Sequence, residues 1–239
     1  PPICQSRNAH KLPFALIDCD MLLCMSAVPL SIALGCDDRD RADILCLHRN
    51  VIGRVDLEAE LRGESSVMRR LMRHSARHGN LIIAATRARV EGGEFNSAVV
   101  IDRGKVLGVS DQMSPGGKML KGSCMRCYRT SSGLMGLILS DDIRCPQLWH
   151  AMSRAGCDFV VAMHEKVFDE TRDHAFLQCM AYCCGRNVYA NFCDLSRRYN
   201  CFGNCDDSAS GIERRFAFCA HSKPDTFMRG TIKIYVEQT

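Results

Sequence analysis

The apolar run at the start of "GLILSDDIRCP" (Gly136 to Pro146) ends in Ser140, with Asp141 and Asp142 directly behind it. An apolar strand that delivers a hydroxyl into polar residues is how α/β enzymes present a nucleophile, but a serine becomes one only when a base takes its proton. Ser140 does not sit in a G-x-S-x-G elbow, because Ile138 and Asp142 stand where the glycines belong. An ordinary esterase serine is therefore not expected. His164 and Glu165 follow the apolar run "DFVVAM" at the strand end where α/β proteins place ligands, so with Asp141 they are candidates to line a pocket.

The chain has 16 cysteines. Cys124 and Cys127 form a CxxC, and "CFGNC" supplies Cys201 and Cys205, a set that could in principle close a tetrahedral zinc site. The second spacing is unusual and the pairs lie far apart, so no metal site is expected. Cys179 and Cys183 share a helix face and Cys184 follows them; with no histidine near, all three are expected to pack as small hydrophobes. Disulfide scaffolds are short and secreted, and this chain opens on no basic-then-apolar leader, which predicts reduced thiols and a cytoplasmic protein. "SPGGK" (Ser114 to Lys118) lacks the spacing of a phosphate loop and reads as a turn.

These residues need a frame to hold them. Ten runs have the character of strands: "FALID", "ADILCL", "NLIIAA", "NSAVVID", "KVLGVS", "LMGLILS", "DFVVAM", "NVYANF", "RRFAFC" and "TIKIYV". Helical patterns cover about Asp56 to His78, Pro146 to Ala155 and Phe168 to Cys184, with Gly79 as C-cap of the first. Acidic residues in the opening turns of that first helix and Arg73, His74, Arg77 and His78 at its end would suit the helix dipole, making the basic cluster a solvated end. "DRGK" (Asp102 to Lys105) reads as a hairpin turn. Met21 to Gly35 is apolar but too short for a membrane span, and is expected to be a core-facing helix. At 239 residues and a net charge of +4, a single α/β domain over 1–239 is the economical reading, without the surface of a nucleic-acid binder.

The order of segments resembles the carbon–nitrogen hydrolase, or nitrilase, superfamily. "GLILSDDIRCPQLWHAMSRAGCDFVV" is similar to its nucleophile segment at Gly136, Asp142, Ile143, Arg144, Pro146, Ala155, Gly156 and Asp158. "FALIDCD", "ADILCLHR", "FNSAVVIDRGKVLG", "YAN", "FGNC" and "GTIKIYV" resemble its other markers, so the likeness runs from about Pro13 to Val236. The resemblance implies a four-layer αββα sandwich, pairing into a homodimer across helices, no cofactor, and a Glu-Lys-Cys triad acting on a small amide or nitrile. Neither nucleic acid nor a membrane is implied as a partner.

Carried onto this chain, the triad positions are all substituted: Arg49 at the base, Gln112 at the lysine and Ser140 at the cysteine, with Asp141 in place of the following aromatic. Arginine does not release its proton in proteins, and glutamine brings no charge to a developing oxyanion. The expectation is a catalytically degenerate homologue that binds a small amide, nitrile or carbamoyl-type ligand or acts through its scaffold. The alternative is an active hydrolase with another nucleophile, Ser140 with Glu165 as base, or the thiol of Cys145 or Cys127. Arg49 is further expected to meet Asp141 or Asp142 as an ion pair.

Overall fold

The computed structural model describes residues 14–16, 44–56, 59–60, 66–192, 196–206 and 234–237. Two sheets form its centre. The first orders β1 (Phe14–Leu16), β2 (Ile44–Leu47), β4 (Leu81–Val90), β5 (Gly93–Asp102) and β6 (Lys105–Asp111), and β3 (Arg54–Asp56) also pairs with β4. The second orders β12 (Cys205–Asp206), β11 (Ser196–Tyr199), β10 (Asn187–Asn191), β9 (Phe159–Met163), β8 (Gly133–Leu139), β7 (Met125–Thr130) and β13 (Ile234–Glu237). The helices are α1 (Arg49–Ile52), α2 (Val67–His78), α3 (Pro146–Arg154) and α4 (Arg172–Cys184).

Strand alternation sends each sheet's side chains into two different cores. Ile44, Cys46, Leu81, Ile83, Ala98 and Val100 of the first sheet meet Met135, Leu137, Phe159, Val161 and Tyr189 of the second. On the outer face of the first sheet, Leu45, Ile82 and Val99 pack with Leu71 of α2. On the outer face of the second, Ile138, Val160 and Val188 pack with Trp149 and Met152 of α3 and Leu177 of α4. This is the expected αββα sandwich. The approach of α3 to β8 is close enough that a Cβ on Gly136 would lie 2.6 Å from the Met152 sulfur, which is why the segment opens on glycine.

Most strands fall where apolar runs predict them, and those that escape have a physical reason. β7 reads "MRCYRT" with Met125, Cys127 and Tyr128 buried, but its arginines break the apolar run; β3 buries only Val55. β11 and β12 are short and polar. The hairpin at Asp102 to Lys105 turns through left-handed Arg103 and Gly104, and Gly79 caps α2 in the same region, both as expected.

The long first helix needs correction. Asp56 belongs to β3, α2 begins at Val67 with no acidic residue in its first turn, and His74 is buried against His78. The dipole therefore meets charge at its C-terminal end only. The third helix begins at Arg172, after Phe168. Cys179 and Cys183 do not pack inward: both are exposed, their sulfurs 3.7 Å apart, while Leu177, Met180, Ala181 and Cys184 take the buried face. The stretches 21–35 and "RRFAFC" lie outside the described residues. No described helix is long and apolar enough to cross a membrane.

Candidate active site

β8 ends at Leu139 and the chain enters a 3-10 turn, Ser140–Arg144, with Ser140 at φ 51°, a left-handed backbone that costs a non-glycine residue about 1–3 kcal/mol. The surrounding contacts hold it there. Both oxygens of buried Asp142 accept backbone N–H groups, from Met113 (2.5 Å) and Ser114 (2.9 Å), tying the turn to the segment after β6. The Trp149 indole donates to the Ile143 carbonyl at 2.6 Å, and Arg144 donates to Asp173 of α4 at 3.1 Å. Burial raises the Asp142 pKa, against the lowering effect of its two amide donors.

At Ser140 itself the decisive contact is a donor. Asn96 of β5 gives one amide hydrogen to Ser140 Oγ (2.7 Å) and the other to Gln112 Oε1 (2.9 Å). Gln112 directs its own Nε2 toward the Ser114 carbonyl at 3.5 Å. Thus Ser140 and Gln112, two of the three positions onto which the resemblance carries the triad, come together around Asn96, and the side chains of Asn96, Gln112 and Ser140 are buried. Among the described residues no carboxylate or imidazole accepts the Ser140 proton.

Arg49 opens α1 at the end of β2 and forms an ion pair with Glu165 at 2.5 Å. The expected partner, Asp141 or Asp142, is therefore incorrect: Asp142 is taken by backbone amides, and Asp141 bonds Lys166 Nζ at 2.9 Å and faces His164 Nε2 at 3.5 Å. The Lys166 hydrogen bond holds the Asp141 carboxyl below its usual range. Burial pushes the Glu165 pKa up, while Arg49 and Arg87 pull it down. His164 Nδ1 accepts the Lys166 N–H at 3.1 Å, the ring stacks on Phe192, and burial lowers its pKa, so the imidazole is neutral near pH 7.

One further link joins the two sheets at this end. His48 Nε2 donates to Asn191 Oδ1 at 3.1 Å, and the Asn191 carbonyl accepts the His164 N–H at 2.8 Å. Of the four thiols considered for a metal, Cys127 lies against Cys157, at 3.3 Å, and Met152.

A family model for carbon-nitrogen hydrolases matches residues 53–193, more than half of the chain. The chain belongs to the carbon–nitrogen hydrolase family. Its fold is that of solved family structures: a carbon–nitrogen hydrolase from Helicobacter pylori G27 aligns at TM-score 0.60 with 16% identity, covering 81% of this chain and 82% of that one. An amidase from Nesterenkonia sp. aligns at 0.62 and 15%, covering 83% and 86%. A mutant of the Nesterenkonia sp. AN1 amidase in complex with butyramide aligns at 0.64 and 16%, covering 84% and 87%. No curated protein matches the sequence.

In this carbon–nitrogen hydrolase homologue Asn96, Asn191 and Arg87 are the residues that reasoning on triad positions misses. Asn96 and Asn191 were visible as parts of "FNSA" and "YAN", but a motif match gives no role until the sheets are stacked. Arg87 carries no motif; its signal is that cations replace the apolar alternation of β4 at Arg87 and Arg89, of which Arg89 is exposed and Arg87 half-buried.

Proposed function

We propose that this chain is a catalytically degenerate carbon–nitrogen hydrolase homologue that binds a small ligand of the amide, nitrile or carbamoyl type without hydrolysing it. The observation that carries the reading is the hydrogen bonding of Ser140: its oxygen accepts from Asn96, and nothing described is placed to take its proton. Acyl transfer needs a nucleophile, a base and a cation or dipole at the oxyanion. Here Arg49 is bound to Glu165 and Gln112 to Asn96. The bound butyramide in a mutant of the Nesterenkonia amidase supports a small amide as the ligand size. The pairing of two copies across helices and a cytoplasmic location belong to the same proposal, and the sedimentation velocity of the purified chain tests the first.

The competing reading is an active amidase using Ser140 with Glu165 as base. Two observations favour it: the left-handed backbone of Ser140 at the end of β8 and the raised pKa of Glu165. A panel of small amides, nitriles and carbamoyl compounds, tested together for turnover and for thermal stabilisation, separates the two. Stabilisation without turnover is expected. Turnover that disappears in Ser140→Ala would establish the amidase instead.

A further inference from the structure

The inner face of β4 runs Leu81, Ile83, Ala85 into the intersheet core, and the same alternation places Arg87 next on that face. Its cross-strand partner is Asn96, the residue that holds Ser140 and Gln112. Directly opposed residues on neighbouring strands have Cβ atoms about 4.5–5.5 Å apart, so Arg87 stands beside the substituted triad. The turn that carries Arg49 is fastened to the same place. Gly53, which follows α1, accepts the Arg87 N–H at 3.4 Å and the Thr86 hydroxyl at 2.9 Å.

Two guanidiniums thus serve one carboxylate. Arg87 acts electrostatically on both Arg49 and Glu165, but only Arg49 is bonded to Glu165. Arg87 Nε is buried with no hydrogen-bond partner, and so is Glu165 Oε1. A buried donor on a cation that goes unpaired is costly and calls for a missing acceptor. Ser140 contributes a second open donor, because its oxygen accepts from Asn96 and its proton is unused.

We infer that Arg87, with Ser140 on the other side of Asn96, forms a carboxylate-binding site, so that the protein takes a small carboxylic acid in its anionic form rather than the corresponding neutral amide. Guanidinium presents parallel N–H donors that match the two oxygens of a carboxylate, whereas an amide offers one acceptor and turns its own N–H donors toward the cation. Glu165 competes for the same positive charge and holds the affinity down. The inference rests on the reading of the site as a binding pocket rather than a hydrolytic one.

Butyrate and butyramide, which share their carbon skeleton, make the test, titrated by thermal shift and calorimetry at constant ionic strength against chloride. Butyrate is expected to bind about tenfold or more tightly than butyramide, the scale of a charge-assisted hydrogen bond. Arg87→Gln should abolish that preference. Glu165→Gln should strengthen butyrate binding by about threefold or more, since it removes a competing anion while leaving the ligand's contacts in place. This second variant reads out independently if Arg87→Gln fails to fold. Butyramide binding as tightly as butyrate would overturn the carboxylate site while leaving the binding function standing. Hydrolysis of butyramide would instead overturn the binding function. Absence of binding by either compound, or weaker butyrate binding in Glu165→Gln, would overturn the inference.

Discussion

Two strand ends meet at the candidate site, and they are held in different ways. The turn after β8 has its backbone fixed by side chains: Asp142 takes two amides, Arg144 reaches Asp173, and the helix behind it supplies Trp149. The turn after β2 keeps its place through Gly53 to β4 and through two long-range side-chain contacts, Arg49 to Glu165 and His48 to Asn191. The difference teaches what a scaffold requires. A carboxylate that satisfies backbone N–H groups cannot change without leaving them unpaired, whereas an ion pair between two side chains can be replaced on both sides at once.

The sharpest way to break this comparison is to remove the support on the β8 side. Asp142→Ala removes a buried carboxylate and leaves the part-buried N–H groups of Met113 and Ser114 without acceptors, and should lower the unfolding free energy by about 2–4 kcal/mol, measured by urea denaturation. A loss below about 0.5 kcal/mol would show that the turn is held by something else.

On the β2 side a smaller effect is expected, because the pair is only partly buried, with side-chain exposures of 25% for Arg49 and 22% for Glu165. Arg49→Met should destabilise by about 1–3 kcal/mol by leaving Glu165 half-buried and facing Arg87 alone. The double variant Arg49→Met, Glu165→Gln should recover most of that loss. A double variant that is no more stable than Arg49→Met would mean that packing, not charge, is what Arg49 provides.

The legibility of the two ends in the sequence follows the same division. "SDDIRCP" is local: the turn, its carboxylate and its arginine lie within a few residues, so the motif and the strand before it could be recognised together. Asp142 lies within that motif, and its function as an amide acceptor follows once the segment after β6 is brought beside the turn. The β2 end is assembled from far-apart pieces. Arg49 meets Glu165 across 116 positions, His48 meets Asn191 across 143, and Arg87 enters only through strand register with Asn96. An arginine where the resemblance implies a glutamate points Arg49 at an anion, but of the three acidic residues close to the site it is Glu165, not the pair next to Ser140 in sequence, that it meets. Asp141 and Asp142 were already taken, one by Lys166 and the other by the backbone, which a sequence read one strand at a time does not reveal.

The smallest effect concerns His164, which lies between the two ends and is sensitive to pH. Its ring is stacked on Phe192 and faces Asp141, with Lys166, Arg144 and Asp173 as the other charges acting on it. Burial lowers its pKa below the ordinary 6.5, so the folded protein holds the ring neutral where the unfolded chain would protonate it. Its contribution is therefore complete above about pH 6.5 and is lost as pH falls through the lowered value, with a slope of at most about 1.4 kcal/mol per pH unit. Asp141, whose pKa is held below 3.8 by Lys166, loses its own contribution only at more acid pH, so the two windows stay apart. His164→Asn retains an acceptor near the Lys166 N–H but has no proton to gain. Unfolding free energies measured from pH 7 to pH 5 should fall less steeply in this variant than in the natural chain. Equal slopes would place the acid sensitivity of the fold elsewhere and leave the β8 and β2 ends electrostatically independent of each other.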